Sequence, residues 1–228
     1  MQKKYVPLVV FLAALLVLAA HLGARAVLAE TAFTFAEEEK RVYLTFDDGP
    51  STVVTNAILD TLKEEGIKAT FFIVSNRAHG REETLRRIVR EGHTVGVHSA
   101  THNYSDIYAS DEALLADVNE CATLIRRVTG VVPHVYRFPG GGTSARERQT
   151  KMLERLGYRV VRWNAVCGDE EIRNASAATL TEESMRTAGN KNTVVLLLHD
   201  SAPHRATAEA LPDIISRFRA REYTFCAY

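Results

Sequence analysis

The chain has no net charge to offer a partner. Over 228 residues, 28 Lys and Arg are balanced by 28 Asp and Glu, and no stretch gathers the basic residues together. A nucleic-acid surface needs a concentrated positive field, so no nucleic-acid partner is expected, and a neutral polymer or a small molecule suits the chain better. Cysteine is scarce: Cys121, Cys167 and Cys226 are too few and too far apart for a zinc knuckle or a disulfide framework. Cys121 falls on the apolar side of a helix and is expected simply to pack. Internal repeats, low-complexity stretches and a phosphate-binding loop are absent, so 41–228 reads as one domain. The longest apolar run, Tyr5 to Ala20, falls short of the ~20 residues of a usual membrane span.

That run carries its own message. Lys3 and Lys4 precede it, and Ala24-Arg25-Ala26 follows as a small-x-small site. Together they describe an export signal over 1–26, or the same segment retained as an N-terminal membrane anchor. In either case the domain lies outside the cytoplasm, and contact with a membrane is expected only through that segment if it stays uncleaved. No cysteine lies near the site to take a bacterial-type lipid. Residues 27–40 read as a linker ending in the acidic run Glu37–Glu39.

From Arg41 the chain alternates. Apolar, β-branched or aromatic strands are expected at 42–46, 69–74, 94–97, 134–136, 158–163, 194–198 and 223–226. Helical spacing of apolar residues is expected over 52–65, 82–91, 110–130, 144–156, 181–188 and 206–220, several closed by glycine. Repeated βα units imply an α/β fold with a mainly parallel sheet, either a barrel or a doubly wound sheet.

Four places interrupt this cadence, each just after a strand, where such folds keep their sites. Asp47-Asp48-Gly49-Pro50 sets two carboxylates side by side, which repel unless a cation or proton separates their roles; as a bare motif it is also a good turn. His98-Ser99-Ala100-Thr101-His102 spaces two imidazoles four apart, as on one side of a helical turn, where both reach one metal. His93, just upstream, reads as structural. Arg137-Phe138-Pro139-Gly140-Gly141-Gly142 lets backbone approach a ligand closely, or is a loop without a task. Leu196-Leu197-Leu198-His199-Asp200 ends a buried strand on a histidine able to move a proton, with Asp169 as a possible carboxylate partner.

In this order and spacing, the four motifs resemble those of the NodB-type polysaccharide deacetylases, carbohydrate esterase family 4, from about Arg41 to the end. The resemblance implies a distorted (β/α) barrel and a metal-dependent hydrolase that removes acetyl groups from N-acetylated sugars of an extracytoplasmic glycan, peptidoglycan or chitin-like. It implies Asp47 as the base, Arg137 as the group orienting it, His199 as the acid and Asp169 as the group tuning that acid. Asp48, His98 and His102 correspond to the ligands of one divalent metal ion, zinc by default, with cobalt, nickel, manganese or iron also suited to such ligands. Leu197 corresponds to the acetyl-pocket lining, and Pro139 and Gly140 fall in the substrate-binding loop, where a backbone N–H near Gly140 would hold the oxyanion. Two departures stand out. Gly140 replaces a common aromatic residue, which implies a more open groove. Val166 and Glu170 replace an Asp and a Trp around Asp169. The alternatives are an O-acetyl xylan esterase, separable by substrates bearing only one kind of acetyl group, and a non-catalytic carbohydrate-binding domain. The complete set of ligands, base and acid speaks against the latter.

Overall fold

A computed structural model describes residues 39–142 and 146–228, with Ala19 as the single described residue of the N-terminal part. The expected export segment 1–26 and nearly all of the linker therefore lie outside the described residues. Among the described residues, no helix is long and apolar enough to cross a membrane.

The first half of the domain runs β1 (Arg41–Gly49), α1 (Val54–Glu64), β2 (Thr70–Val74), α2 (Ser75–Ala78), α3 (Glu82–Arg90), β3 (Thr94–Ser99), α4 (Tyr104–Ile107) and α5 (Asp111–Thr129). The second half runs β4 (Val135–Tyr136), α6 (Glu147–Arg155), β5 (Arg159–Val160), β6 (Ala165–Val166), α7 (Ala177–Ala188), β7 (Thr193–His199), α8 (Arg205–Ala220) and β8 (Thr224–Cys226). The helix expected from Ser144 begins at Glu147; Ser144 itself is outside the described residues. The ends of α5 follow the sequence signals. Ser110 Oγ accepts the Ala113 N–H at 3.1 Å, and Gly130 closes the helix at φ 76°. Between these caps Leu114, Val118, Cys121 and Ile125 are buried at a spacing of three and four, each such apolar side chain contributing about 1.5–3 kcal/mol.

The strands form one parallel sheet in the order β5-β4-β3-β2-β1-β7-β6, with β8 beside the start of β1. Sequence reading expects one strand over 158–163, but there are two short ones, and they occupy opposite edges of the sheet. That separation dictates the curvature. Six flat strand spacings would hold the edges roughly 29 Å apart, whereas the five steps from Val160 to Ala165 span at most about 18 Å. The sheet must therefore curl until its edges approach, giving a half-barrel with helices outside. The run Val160-Val161-Arg162-Trp163 looks like strand because its composition suits one; its task is to cross the open side.

Alternation along the strands creates two layers. Val42, Leu44 and Phe46 of β1 and Val194, Leu196 and Leu198 of β7 pack outward in the main core under the helices. Phe72, Val135, Val161 and Val195 form a smaller inner cluster with Tyr43, Trp163 and Tyr228. On the same inner side of β1, above Tyr43, stand Thr45 and Asp47. The interior thus changes from apolar to polar toward the C-terminal ends of the strands.

Candidate active site

Regular alternation would send Asp47 and Asp48 to opposite faces of the sheet. The chain avoids this with a register shift between Asp47 and Gly49 and a left-handed Asp48 at φ 76°. A bulge of this kind re-aims a side chain, and Asp tolerates positive φ better than most residues. Both carboxylates then face the site, buried at 3% and 6% exposure. Gly49 has a steric role: a Cβ there would collide with the carboxylate of Asp200, which is fully buried. Burial, with the nearby charges of Asp48 and Asp47, pushes the Asp200 pKa up to about 7, although Thr55 Oγ1 donates to it at 2.6 Å.

The two histidines meet differently from the helical turn expected. His98 lies in β3, where the pairing with β2 skips a residue, and His102 sits in the following loop at φ 61°. Asp117, on the buried face of α5, organises that loop. Its Oδ1 accepts Ser99 Oγ and the Ala100 N–H, each at 3.0 Å, and Ser99 Oγ in turn accepts the His102 N–H at 2.8 Å. His98 Nδ1 lies 2.8 Å from the Arg137 carbonyl oxygen, which can only accept. The ring proton is therefore on Nδ1 and the Nε2 lone pair is free for a ligand. Burial pushes the His98 pKa down, against the pull of Asp47 and Asp48, and so favours the neutral ring.

Asp48 Oδ1 lies 3.1 Å from His102 Nε2 and 3.6 Å from His98 Nε2. That oxygen is buried without a hydrogen-bond partner. An orphaned carboxylate oxygen facing two imidazole nitrogens is what a divalent cation would satisfy. Burial opposes the charge on Asp48, but His98, His102 and Arg77 prevail and hold it below the usual carboxylate range. His199 also falls in two groups of potential ligand atoms, one with Asp169 and His204, the other with Asp48 and Glu170. These suit a cation poorly, because His199 is itself held cationic.

Asp47 and His199 are placed by strand register: they are direct neighbours across β1 and β7, as are Thr45 and Leu197 two pairs below. Arg137, fully buried, donates from Nη1 to Asp47 Oδ1 and to Thr45 Oγ1, both at 2.8 Å. Its guanidinium stacks on Phe72, 4.4 Å from the ring centroid, and lies 5.6 Å from that of Trp163. Asp47 Oδ2 is turned toward His98, 3.9 Å away. Across the site, His199 Nδ1 lies 2.8 Å from Asp169 Oδ1. Burial alone would lower the His199 pKa; the hydrogen bond and charge of Asp169 overcome it and raise the pKa to about 9.

The structure thus brings together Asp47, Asp48, His98, His102, Arg137, Asp169 and His199, with Leu197 beneath. The glycine loop is less open than its composition implies. Tyr104, half exposed, stands over Gly140, where a Cβ would meet its Oη at 3.3 Å, and Trp163 fills the space a Cβ on Gly141 would take. Tyr104 stacks on Tyr108, whose Oη donates to the Pro139 carbonyl oxygen at 2.7 Å. The Gly141 N–H closes a turn on the Phe138 carbonyl oxygen, whereas the Gly140 N–H has no acceptor among the described residues. Sequence reading gave no role to Thr45, Arg77, Tyr104, Asp117 or Thr207, whose Oγ1 donates to Asp169 Oδ2 at 2.8 Å. Asp117 had a signal, a carboxylate between Leu114 and Cys121 on an apolar helix face.

Comparison with known proteins agrees with this arrangement. The family model described as polysaccharide deacetylase matches residues 36–161. The chain belongs to the polysaccharide deacetylase family. Among its relatives, the putative polysaccharide deacetylase YheN of Bacillus subtilis is 34% identical over 191 residues, covering 82% of this chain and 66% of YheN. The peptidoglycan-N-acetylglucosamine deacetylase PgdA of Listeria monocytogenes is 30% identical, covering 83% of this chain and 38% of PgdA. This deacetylase-family chain therefore spans less than two thirds of the length of these relatives. In three dimensions it is similar to a carbohydrate esterase family 4 esterase of Streptococcus mutans, with a TM-score of 0.78, 31% identity, and coverage of 87% of this chain and 90% of that one.

Proposed function

We propose that this domain is a metal-dependent N-deacetylase acting on an extracytoplasmic glycan, peptidoglycan or a chitin-like polymer. The observation that carries the reading is the pairing of Asp47 with His199 across adjacent strands, beside the orphaned Asp48 oxygen and its two imidazoles. Asp48, His98 and His102 would hold the ion. A divalent cation there, zinc by default, would lower the pKa of a water molecule and polarise an acetyl carbonyl.

The remaining chemistry belongs to the chain. Asp47, anchored through Oδ1 by Arg137, takes the proton of the attacking water on Oδ2. The Gly140 N–H is available to the oxygen that becomes negative as the amide carbon turns tetrahedral. An amine leaves poorly unless protonated. His199, held cationic by Asp169, delivers the proton from Nε2 to the departing nitrogen. Leu197 offers an apolar wall to the acetyl methyl group, and Pro139 and Gly140 form the loop against the sugar.

Residues 1–26 are proposed as the export signal or anchor, 27–40 as the linker and 41–228 as the catalytic domain. The test is acetate release from peptidoglycan fragments and chitin oligomers, with added zinc or with a chelator. The expected result is metal-dependent release, abolished in Asp47→Asn while bound zinc is retained. Release from O-acetylated glycans alone would replace this reading with the esterase one.

A further inference from the structure

Beside the metal-ligand candidate Asp48 stand two arginines that the reaction above does not use. Arg77, in α2, donates from Nη1 to the Asp48 carbonyl oxygen at 2.8 Å and lies 3.4 Å from its Oδ2. Arg81, just before α3, donates from Nη1 to the Arg77 carbonyl oxygen at 2.7 Å. No carboxylate among the described residues lies within ion-pair distance of Arg81, and the Nε and Nη2 groups of both arginines have no acceptor there. Their neighbours differ. On α3, Arg86, Arg87 and Arg90 each pair with a carboxylate. The acids that follow Arg81 are engaged elsewhere, Glu82 with the Gly80 N–H and Glu83 with Arg86 and Arg90.

Arg77 and Arg81 line a cleft of about 300 Å³. Its other walls include Pro50 and Ser51, which follow the paired aspartates of β1, and Ser201 and Pro203, which follow His199 and Asp200 of β7. Both loops leave the C-terminal ends of strands, so the cleft lies at the same end of the sheet as the candidate site. Asp48 is thus the one carboxylate beside the pair among the described residues, and it is itself a metal-ligand candidate, which leaves Arg81 without a counter-ion there. The planar fork of Arg, with donors left over, matches a carboxylate in both shape and charge.

We propose that this cleft receives a carboxylate carried by the glycan itself, on the sugar being deacetylated or on its neighbour. The proposal rests on the deacetylase reading and narrows its substrate class, from glycans in general to acidic ones of the peptidoglycan kind in preference to neutral chitin-like chains. Arg81 is the positioning residue. Arg77 joins the cleft to Asp48, so an anion bound there also lies against the bulged end of β1 that presents the metal ligand.

The test uses the full chain, wild type and Arg81→Gln, with Arg81→Lys as a variant that keeps charge but loses the fork. Three acetylated tetrasaccharides are compared: peptidoglycan with peptide stems, peptidoglycan stripped to its lactyl carboxylates, and chitotetraose. Arg81→Gln is expected to raise KM about tenfold for whichever carboxylate-bearing substrate uses the cleft. It should leave kcat, and both constants for chitotetraose, unchanged. Arg81→Lys should fall between. The two acidic substrates tell whether the stem or the lactyl group is bound. An equal change on the neutral and acidic substrates, or no change on any, overturns the proposal. Calorimetric binding of the acidic tetrasaccharides to the Asp47→Asn protein tests the cleft apart from turnover. Affinity unchanged by Arg81→Gln there also overturns the proposal, even if wild type releases no acetate and the deacetylase reading itself fails.

Discussion

Asp169 grips His199 twice, with Oδ1 2.8 Å from the ring Nδ1 and Oδ2 2.8 Å from the backbone N–H of the same residue. Thr207 Oγ1, on α8, donates to that second oxygen at 2.8 Å. The carboxylate therefore fixes both the orientation and the charge of the ring. With Asp169→Asn, burial is opposed only by the charges of Asp47 and Asp48, and the alkaline limb of kcat should move down from near pH 9. Stability follows the same linkage. The folded pKa of about 9 lies above the ordinary 6.5, so the pair stabilises fully below pH 6.5 and loses that contribution as pH rises through 9. The melting-temperature gap between wild type and Asp169→Asn should accordingly narrow across that interval.

Zinc titration should raise the melting temperature, by an increment equivalent to about 2.7 kcal/mol when free metal reaches roughly 100 times its Kd. Asp48→Ala and His102→Ala should lose both the increment and the bound zinc measured by elemental analysis. His93→Gln is the control. Its Nδ1 accepts the Ala69 N–H at 3.2 Å, and burial pushes its pKa down to about 4, so it serves packing and should leave zinc content intact.

Arg137 is the largest fully buried side chain and is the cationic partner of Asp47. Arg137→Ala removes one member of a buried pair and strands the other, which typically costs about 3–5 kcal/mol. Urea unfolding should show that loss. Activity should fall even in the fraction that stays folded, because Asp47 loses the donor that sets its direction.

Asp117→Ala should destabilise by roughly 2–3 kcal/mol, since the buried Ser99 hydroxyl and the buried Ala100 N–H lose their acceptor. Its more telling effect should be on zinc, because the loop ending in His102 hangs from Asp117 through Ser99. A zinc Kd equal to that of wild type would show that the loop holds its shape without Asp117.

Most of the framework was legible because it is periodic. The buried faces of β1, β7 and α5 repeat at two or at three and four residues, and their caps are local chemistry. The failures were where local patterns meet tertiary demands. Residues 158–163 have the composition of a strand, but the chain must use them to pass between sheet edges. The spacing of His98 and His102 suggested a helix, but a strand end and a left-handed residue bring their ring centroids to 5.2 Å. Tyr104 gave no signal at all, since a single aromatic at the start of a short helix has meaning only once Gly140 and His102 are placed beside it.

The strand bearing Asp47 and Asp48 has different partners along its length: β8 beside residues 41–43, β2 beside residues 45–49, and β7 along most of the other side. In parallel pairing this joins residue 41 to residues 193 and 224. Such long loops must close before the contacts reward them, so folding should be slow, and the side of the nascent strand that meets β7 has no mate for most of the chain's synthesis. The catalytic centre is therefore assembled late. A chain that crosses a membrane before folding would reach the far side without a formed metal site.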